Sequence, residues 1–354
     1  MVRLEVTRLR HYGGRGSTRG EIRLETIESH VLENNPLGDP SRRQVAVYLP
    51  PGGPTEGGPL LVHLPGFAGA GPHEADPPPF LGENLFGLFD RLVRTGASAP
   101  AVLISPDCLT ALGGSQYVNS TSTGRYADYV VDEILPWAQE RFHTGPVGIL
   151  GQSSGGFGAL HLAMERPGTF DAVGSSAGDM AFDLLFLPEI PRAVRAYRQY
   201  GGPEGFLDRL FAEPGVLKGP TDPSGSALLL LAMGACYSPR SAAPPEFDLP
   251  FDPETGELLL EVWSRWKAFD PLDRVDGAEP REALRRLRRL HLTASSQDEW
   301  FLDIALRQFV GKLEQHQIPV VHDELAGGHF DKRPRFERLF PSLVGALVAG
   351  TVER

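Results

Sequence analysis

Ser153 lies in the run Val147-Gly148-Ile149-Leu150-Gly151-Gln152-Ser153-Ser154-Gly155-Gly156-Phe157, where an apolar stretch breaks into Gly-x-Ser-x-Gly and then resumes. A serine hydroxyl is a poor nucleophile near neutral pH. It needs a base to take its proton and a carboxylate to hold that base in one tautomer. Both types occur downstream, in Ser295-Ser296-Gln297-Asp298-Glu299-Trp300 and in Ala326-Gly327-Gly328-His329-Phe330, and each follows an apolar run. The chemistry within reach of this set is nucleophilic attack on an acyl carbon. Gly151 and Gly155 let a tight strand-to-helix turn close around the serine, and the following helix aims unpaired N–H groups at the place where an oxyanion develops.

The motif fixes only three residues and occurs twice, the second time as Gly174-Ser175-Ser176-Ala177-Gly178. Position favours Ser153, which follows two earlier strand and helix units and leads into a helix of small residues; Ser176 runs instead into Asp179-Met180-Ala181. His329 is the expected base, because two glycines before it allow a loop that turns the ring over the sheet edge. His63, His161 and His322 fall inside a strand, a helix and a strand, where structural roles are expected. Asp298 is the expected acid, with Glu299 its rival and Asp303 further into a helix; a helix-capping role is open to Asp298 as well. The two oxyanion donors are expected from the N–H of Ser154 and of Phe67 in Pro65-Gly66-Phe67-Ala68-Gly69, with Gly66 or Ala68 as alternatives to Phe67.

These residues need a sheet to hold them. Residues 22–29 and 43–49 read as antiparallel strands, and 60–64, 100–105, the short apolar run from 147 up to the Gly-x-Ser-x-Gly motif, 170–175, 289–294 and 319–325 as further strands. Helices are expected near 83–94, 124–142, 299–316 and 334–348, with a further one of small residues continuing from Ser153. Strands alternating with helices mean a mostly parallel sheet covered on both faces. The alternation stops after residue 175, and patches at 181–187, 206–211 and 258–269 read as helical. The expected organisation is an α/β core of residues 1–179 and 276–354 with a helical cap insertion at 180–275.

The formal net charge of -11 argues against nucleic acid as a partner. The basic run 281–289 is expected to be a solvated helix face, since leucines interleave it at helical spacing. Cys108 and Cys236 show no metal-ligand or redox spacing, and no metal or cofactor is expected. Residues 14–19 miss a phosphate-binding glycine pattern. No run approaches a membrane span and residues 1–7 show no apolar leader, so the expected location is the cytoplasm, or outside the cell if a leader has been removed.

With His63-Leu64-Pro65-Gly66-Phe67, Gly113-Gly114-Ser115-Gln116-Tyr117-Val118-Asn119-Ser120, the Ser153 motif, Gln297-Asp298-Glu299 and Gly327-Gly328-His329 all present, the chain resembles the esterase branch of the α/β-hydrolase fold. That branch includes S-formylglutathione hydrolases, feruloyl and acetyl xylan esterases and mycolyltransferases. The resemblance spans about residues 25 to 347 and is poorest over the cap. It implies a Ser153, Asp298 and His329 triad and an acyl-enzyme, hence a serine carboxylic ester hydrolase for a small or polymeric ester. Gln116, Tyr117 and Asn119 are expected to bind substrate, and Phe182, Phe186 and Trp266 to shape its pocket. Acyl transfer to an alcohol, hydrolysis of a polyester or plant-wall ester, and a catalytically silent binding protein are the alternatives.

Overall fold

The computed structural model describes residues 7–8, 19–75, 83–213 and 215–349. The glycine-rich stretch at 14–18 lies outside them. Short apolar runs bounded by glycine and proline become strands: β1 (Thr7–Arg8), β2 (Glu21–Glu28), β3 (Arg42–Leu49), β4 (Leu60–Leu64), β5 (Val102–Pro106), the short pair β6 (Asn119–Ser120) and β7 (Gly124–Arg125), β8 (Val147–Gln152), β9 (Ala172–Ser176), β10 (Arg289–Ser295) and β11 (Val321–Leu325). One sheet runs in the order β1-β2-β3-β5-β4-β8-β9-β10-β11. β2 and β3 are antiparallel, and so are β3 and β5; from β5 to β11 every pairing is parallel.

The parallel register lays the C-terminal ends of the central strands along one edge, with Leu64 opposite Gly151, Gln152 opposite Ser176, Ser176 opposite Thr293 and Ser295 opposite Leu325. Every residue of β4, β5, β8 and β9 is buried, which is why these strands read as continuous apolar runs without alternation.

The helices in chain order are α1 (Gly71–Ala75), α2 (Leu85–Arg94), α3 (Tyr126–Asp128), which continues through a π-helical stretch at Tyr129–Ile134 into α4 (Leu135–Phe142), and α5 (Ser154–Glu165). Between β9 and β10 come α6 (Phe182–Leu185), α7 (Ile190–Tyr200), α8 (Pro203–Ala212), α9 (Pro223–Tyr237), α10 (Leu260–Lys267), α11 (Pro271–Arg274) and α12 (Ala278–Arg285), followed by α13 (Leu302–Gln315) and α14 (Lys332–Ala349). Phe86 and Phe89 of α2 with Phe336, Phe340 and Leu343 of α14 pack on Leu61, Leu103 and Leu150 at one face of the sheet. Phe157 and Leu160 of α5 and Phe309 of α13 join the core on the other face, with Val62, Ile149 and Leu292.

The main strands and the helices that flank them are those expected, while β1, α1 and the β6–β7 pair were not anticipated. The two longest inserted helices, α7 and α9, and the single turn of α11 were not legible as helices. α9 is buried on nearly all sides, so its Leu228-Leu229-Leu230-Leu231-Ala232-Met233 shows no single apolar stripe. The two ends of the insertion meet at Asp270. Its fully buried carboxylate accepts from the N–H groups of Ala181 and Phe182 at 2.9 and 2.7 Å, and from Leu272 N–H and Lys267 Nζ at 3.0 and 2.8 Å.

Candidate active site

β8 ends in a backbone conformation that few residues tolerate. Ser153 stands at φ 55°, ψ -126°, a region that costs a non-glycine residue about 1–3 kcal/mol. The surroundings hold it there: Ser153 N–H donates to Ser176 O and Phe157 N–H to Ser153 O, both at 2.9 Å. Close approach makes Gly155 obligatory, because a Cβ at that position would lie 1.9 Å from Leu64 O. Ser176, the serine of the second motif, is fully buried at the end of β9. Its stretch serves as the strand on which the turn leans.

β10 and β11 deliver the acid and the base. His329 Nδ1 lies 2.8 Å from Asp298 Oδ2, and the second oxygen of Asp298 accepts Trp300 N–H at 3.0 Å. Glu299 does something different: it accepts the backbone N–H of His329 at 2.7 Å and so fixes the loop without touching the ring nitrogens. The His329 carbonyl accepts from Gln152 Nε2 at 3.1 Å and from the buried guanidinium of Arg335. Trp300 packs edge-on against the imidazole at 4.7 Å between ring centres. Asp303 is an ion-pair partner of Arg307 on α13.

Ser153 and His329 face a shared cavity of about 370 Å³. The loop after β4 forms one side of it, and Gly66 is close enough that a Cβ there would sit 3.4 Å from Ser153 Cβ. In that loop Ala68 spends its N–H on Gly113 O at 2.7 Å and Gly69 on Gly66 O at 2.9 Å. Among the described residues the N–H groups of Gly66, Phe67 and Ser154 meet no protein acceptor. The opposite wall is apolar, with Leu185, Phe186, Leu228 and Leu229 from the insertion and Trp300 and Leu302 from the core.

Residues 40–182 match the family described as "Putative esterase". No curated protein sequence matches. Among solved structures, a ferulic acid esterase aligns at TM-score 0.58 and 16% identity, covering 94% of this chain and 99% of its own. An S-formylglutathione hydrolase from Agrobacterium tumefaciens aligns at TM-score 0.57 and 14% identity, covering 95% and 99%. Brefeldin A esterase, a bacterial homologue of human hormone-sensitive lipase, aligns at 0.53 and 17%, covering 98% and 81%. The chain has the α/β-hydrolase fold that these esterases share.

Three residues expected to bind substrate are absent from the wall of this cavity. Gln116 and Tyr117 both have positive φ, 51° and 56°, and their side chains are buried beneath the site. Gln116 Nε2 donates to Ser154 Oγ at 2.8 Å, and Tyr117 OH donates to Pro65 O at 2.6 Å, bracing the two loops that flank the nucleophile. Asn119 pairs with Asp128 at 2.8 Å. Of the three aromatic residues expected in the pocket only Phe186 lines it; Phe182 and Trp266 pack into an aromatic cluster around Tyr237, at 5.4 and 5.6 Å.

Sequence reasoning missed Asp179. It follows β9 directly, is buried, and lines the cavity. Its Oδ2 accepts Ser154 Oγ–H at 3.1 Å and its Oδ1 lies 3.4 Å from Ser153 Oγ. Burial pushes its carboxyl up to about 6, while His329 and the two serine hydroxyls pull the other way and Asp298 adds to the rise. The available signal was its place, one loop beyond the strand that neighbours β8. Glu74 and Lys332 were also missed; they pair on the cavity wall at 2.7 Å. Burial works against the Glu74 charge, but Lys332 holds the carboxyl below its usual range. Among the described residues no group of three or more His, Cys, Asp or Glu could hold a metal, and no helix is long and apolar enough to cross a membrane.

Proposed function

We propose that the chain is a serine carboxylic ester hydrolase working through an acyl-enzyme on Ser153, His329 and Asp298, with residues 180–275 as a cap that shapes the substrate pocket. The observation that carries this reading is the strained Ser153 turn opening on the same cavity as an imidazole held by a buried carboxylate at 2.8 Å. His329 takes the proton of Ser153 Oγ as the oxygen attacks the ester carbonyl. The N–H groups of Ser154 and Phe67 receive the oxyanion, each worth about 3 kcal/mol in the transition state. Asp298 keeps the proton on Nδ1 and stabilises the imidazolium, which then protonates the departing alcohol. Water, deprotonated by His329, attacks the acyl-enzyme and releases the acid. A cavity of about 370 Å³ roofed by inserted helices supports a small ester in preference to a polymer.

Fluorophosphonate labelling with peptide mapping tests the assignment. We expect the adduct on the Ser153 peptide in the unaltered protein and in Ser176→Ala, and no adduct in Ser153→Ala, together with a loss of p-nitrophenyl ester turnover of about 10⁴-fold or more. An adduct that survives in Ser153→Ala overturns the reading. Turnover that yields a new ester whenever an alcohol is added would replace hydrolysis by acyl transfer.

A further inference from the structure

Asp179 is a carboxylate beside the nucleophile, on a site whose reaction develops negative charge. Left uncompensated, it opposes that charge. The other ionic groups of the cavity wall are spoken for: Glu74 is paired with Lys332, and His329 with Asp298. Around Asp179 the charged or titratable neighbours are His329, Asp298 and Tyr237. Its Oδ2 is satisfied, because the Ser154 hydroxyl gives it its single proton while accepting from Gln116. Among the described residues its Oδ1 has only the long 3.4 Å contact to the Ser153 hydroxyl. That proton goes to His329 when the serine attacks. At that moment Oδ1 loses its donor inside a largely apolar cavity, a costly arrangement unless the substrate supplies another.

The direction of that donor follows by elimination. In the tetrahedral adduct the leaving oxygen must face His329 and the oxyanion must face the Ser154 and Phe67 amides. The remaining substituent is the first carbon of the acyl chain, and a group on that carbon lies within hydrogen-bond reach of a carboxylate oxygen 3.4 Å from Oγ. Beyond it the wall of Leu185, Phe186, Leu228 and Leu229 offers only apolar contact. We infer that Asp179 is a specificity-determining residue that accepts a hydrogen bond from an ammonium on the carbon next to the scissile carbonyl, so that the preferred substrates are esters of α-amino acids with apolar side chains. The ammonium both fills the vacant acceptor and neutralises the carboxylate as the oxyanion forms. This inference rests on the ester hydrolase reading and deepens it.

The test compares leucine p-nitrophenyl ester with 4-methylpentanoyl p-nitrophenyl ester, which lacks only the amine, on the unaltered protein and on Asp179→Asn. The chemical activation of the ester by the ammonium is common to both proteins and cancels. We expect the ratio of kcat/KM values, amino over des-amino, to fall about 10- to 100-fold in Asp179→Asn. A ratio that does not change, or an equal loss on both esters, overturns the inference and makes Asp179 a structural support of the turn.

A second measurement needs no variant. On the unaltered protein 1-amino-3-methylbutylboronic acid should bind Ser153 about tenfold or more tightly than 3-methylbutylboronic acid. Equal affinities overturn the inference. A protein that is labelled at Ser153 and hydrolyses the des-amino ester with no gain from the amine sinks this inference alone. One that takes no label and turns over neither ester sinks the hydrolase reading with it.

Discussion

The two adjacent acids Asp298 and Glu299 show how a single backbone step separates roles. Asp298 grips the imidazole nitrogen, while Glu299 grips the amide of the same histidine. Asp298→Asn should therefore lower kcat by about 10⁴-fold through the wrong tautomer. Glu299→Gln keeps a carbonyl oxygen for the His329 N–H and should lose no more than about tenfold, a gap that steady-state kinetics resolves. Equal losses would unseat Asp298. The sequence allowed Ser153, Asp298 and His329 to be placed together because each stands just beyond a strand in a loop of small or polar residues. Gln116 and Tyr117 misled for a physical reason. Nearness along the chain to a site loop says nothing about direction, and their left-handed backbone turns both side chains beneath the cavity. Asp179 stayed hidden because its burial depends on inserted helices whose packing no local pattern reveals.

At the scale of elements, the loop after β4 is held from outside itself. Tyr117 OH anchors Pro65 O, and Ala68 N–H anchors to Gly113 O, so the segment before α3 sets where the Phe67 amide points. Tyr117→Phe should cost about 1 kcal/mol of stability in a urea titration. It should also reduce kcat more than it raises KM, since a displaced oxyanion donor is felt in the transition state. A change in stability without any change in kcat would detach this loop from the oxyanion site. The strands were legible because their runs are short, apolar and bounded by turn residues. The helix expected at 124–142 begins instead at Tyr126, after the β6–β7 pair, and widens into a π-helical stretch at Tyr129–Ile134. Nothing in side-chain periodicity marks that hydrogen-bond shift.

The whole molecule carries an acid-sensitive balance. Burial pushes His63 down to about 4 and, with Arg274 and Arg166 nearby, His161 down to about 3; His291 shifts the same way. A histidine whose folded value lies below its unfolded one leaves the unfolded chain to take up protons first, so stability falls as pH drops below about 6.5. Asp179, pushed up to about 6, has the opposite sign: the folded state takes up its proton first, and stability is gained as pH falls through that value. The urea midpoint should decline from pH 6.5 to pH 5, and more steeply in Asp179→Asn, by about 1 kcal/mol per pH unit. His161→Gln, which keeps an acceptor for Arg274, should flatten the decline. An identical slope in Asp179→Asn would mean that Asp179 stays ionised throughout.

Asp270 joins the first residues of the insertion to the last, holding Ala181 and Phe182 against Leu272. The segment between them is thereby a cassette closed at its base, and it meets the core again at Ser120 and Ser122, whose hydroxyls donate to Ala235 O at 2.5 Å and Glu246 O at 2.7 Å. Leu185, Phe186, Leu228 and Leu229 all belong to that cassette, whereas Ser153, Asp298 and His329 do not. On the proposed reading the acyl pocket and the ester chemistry thus lie on different segments, and a foreign cassette that kept the Asp270 clasp and the Ser120 and Ser122 contacts would be a route to a new substrate range.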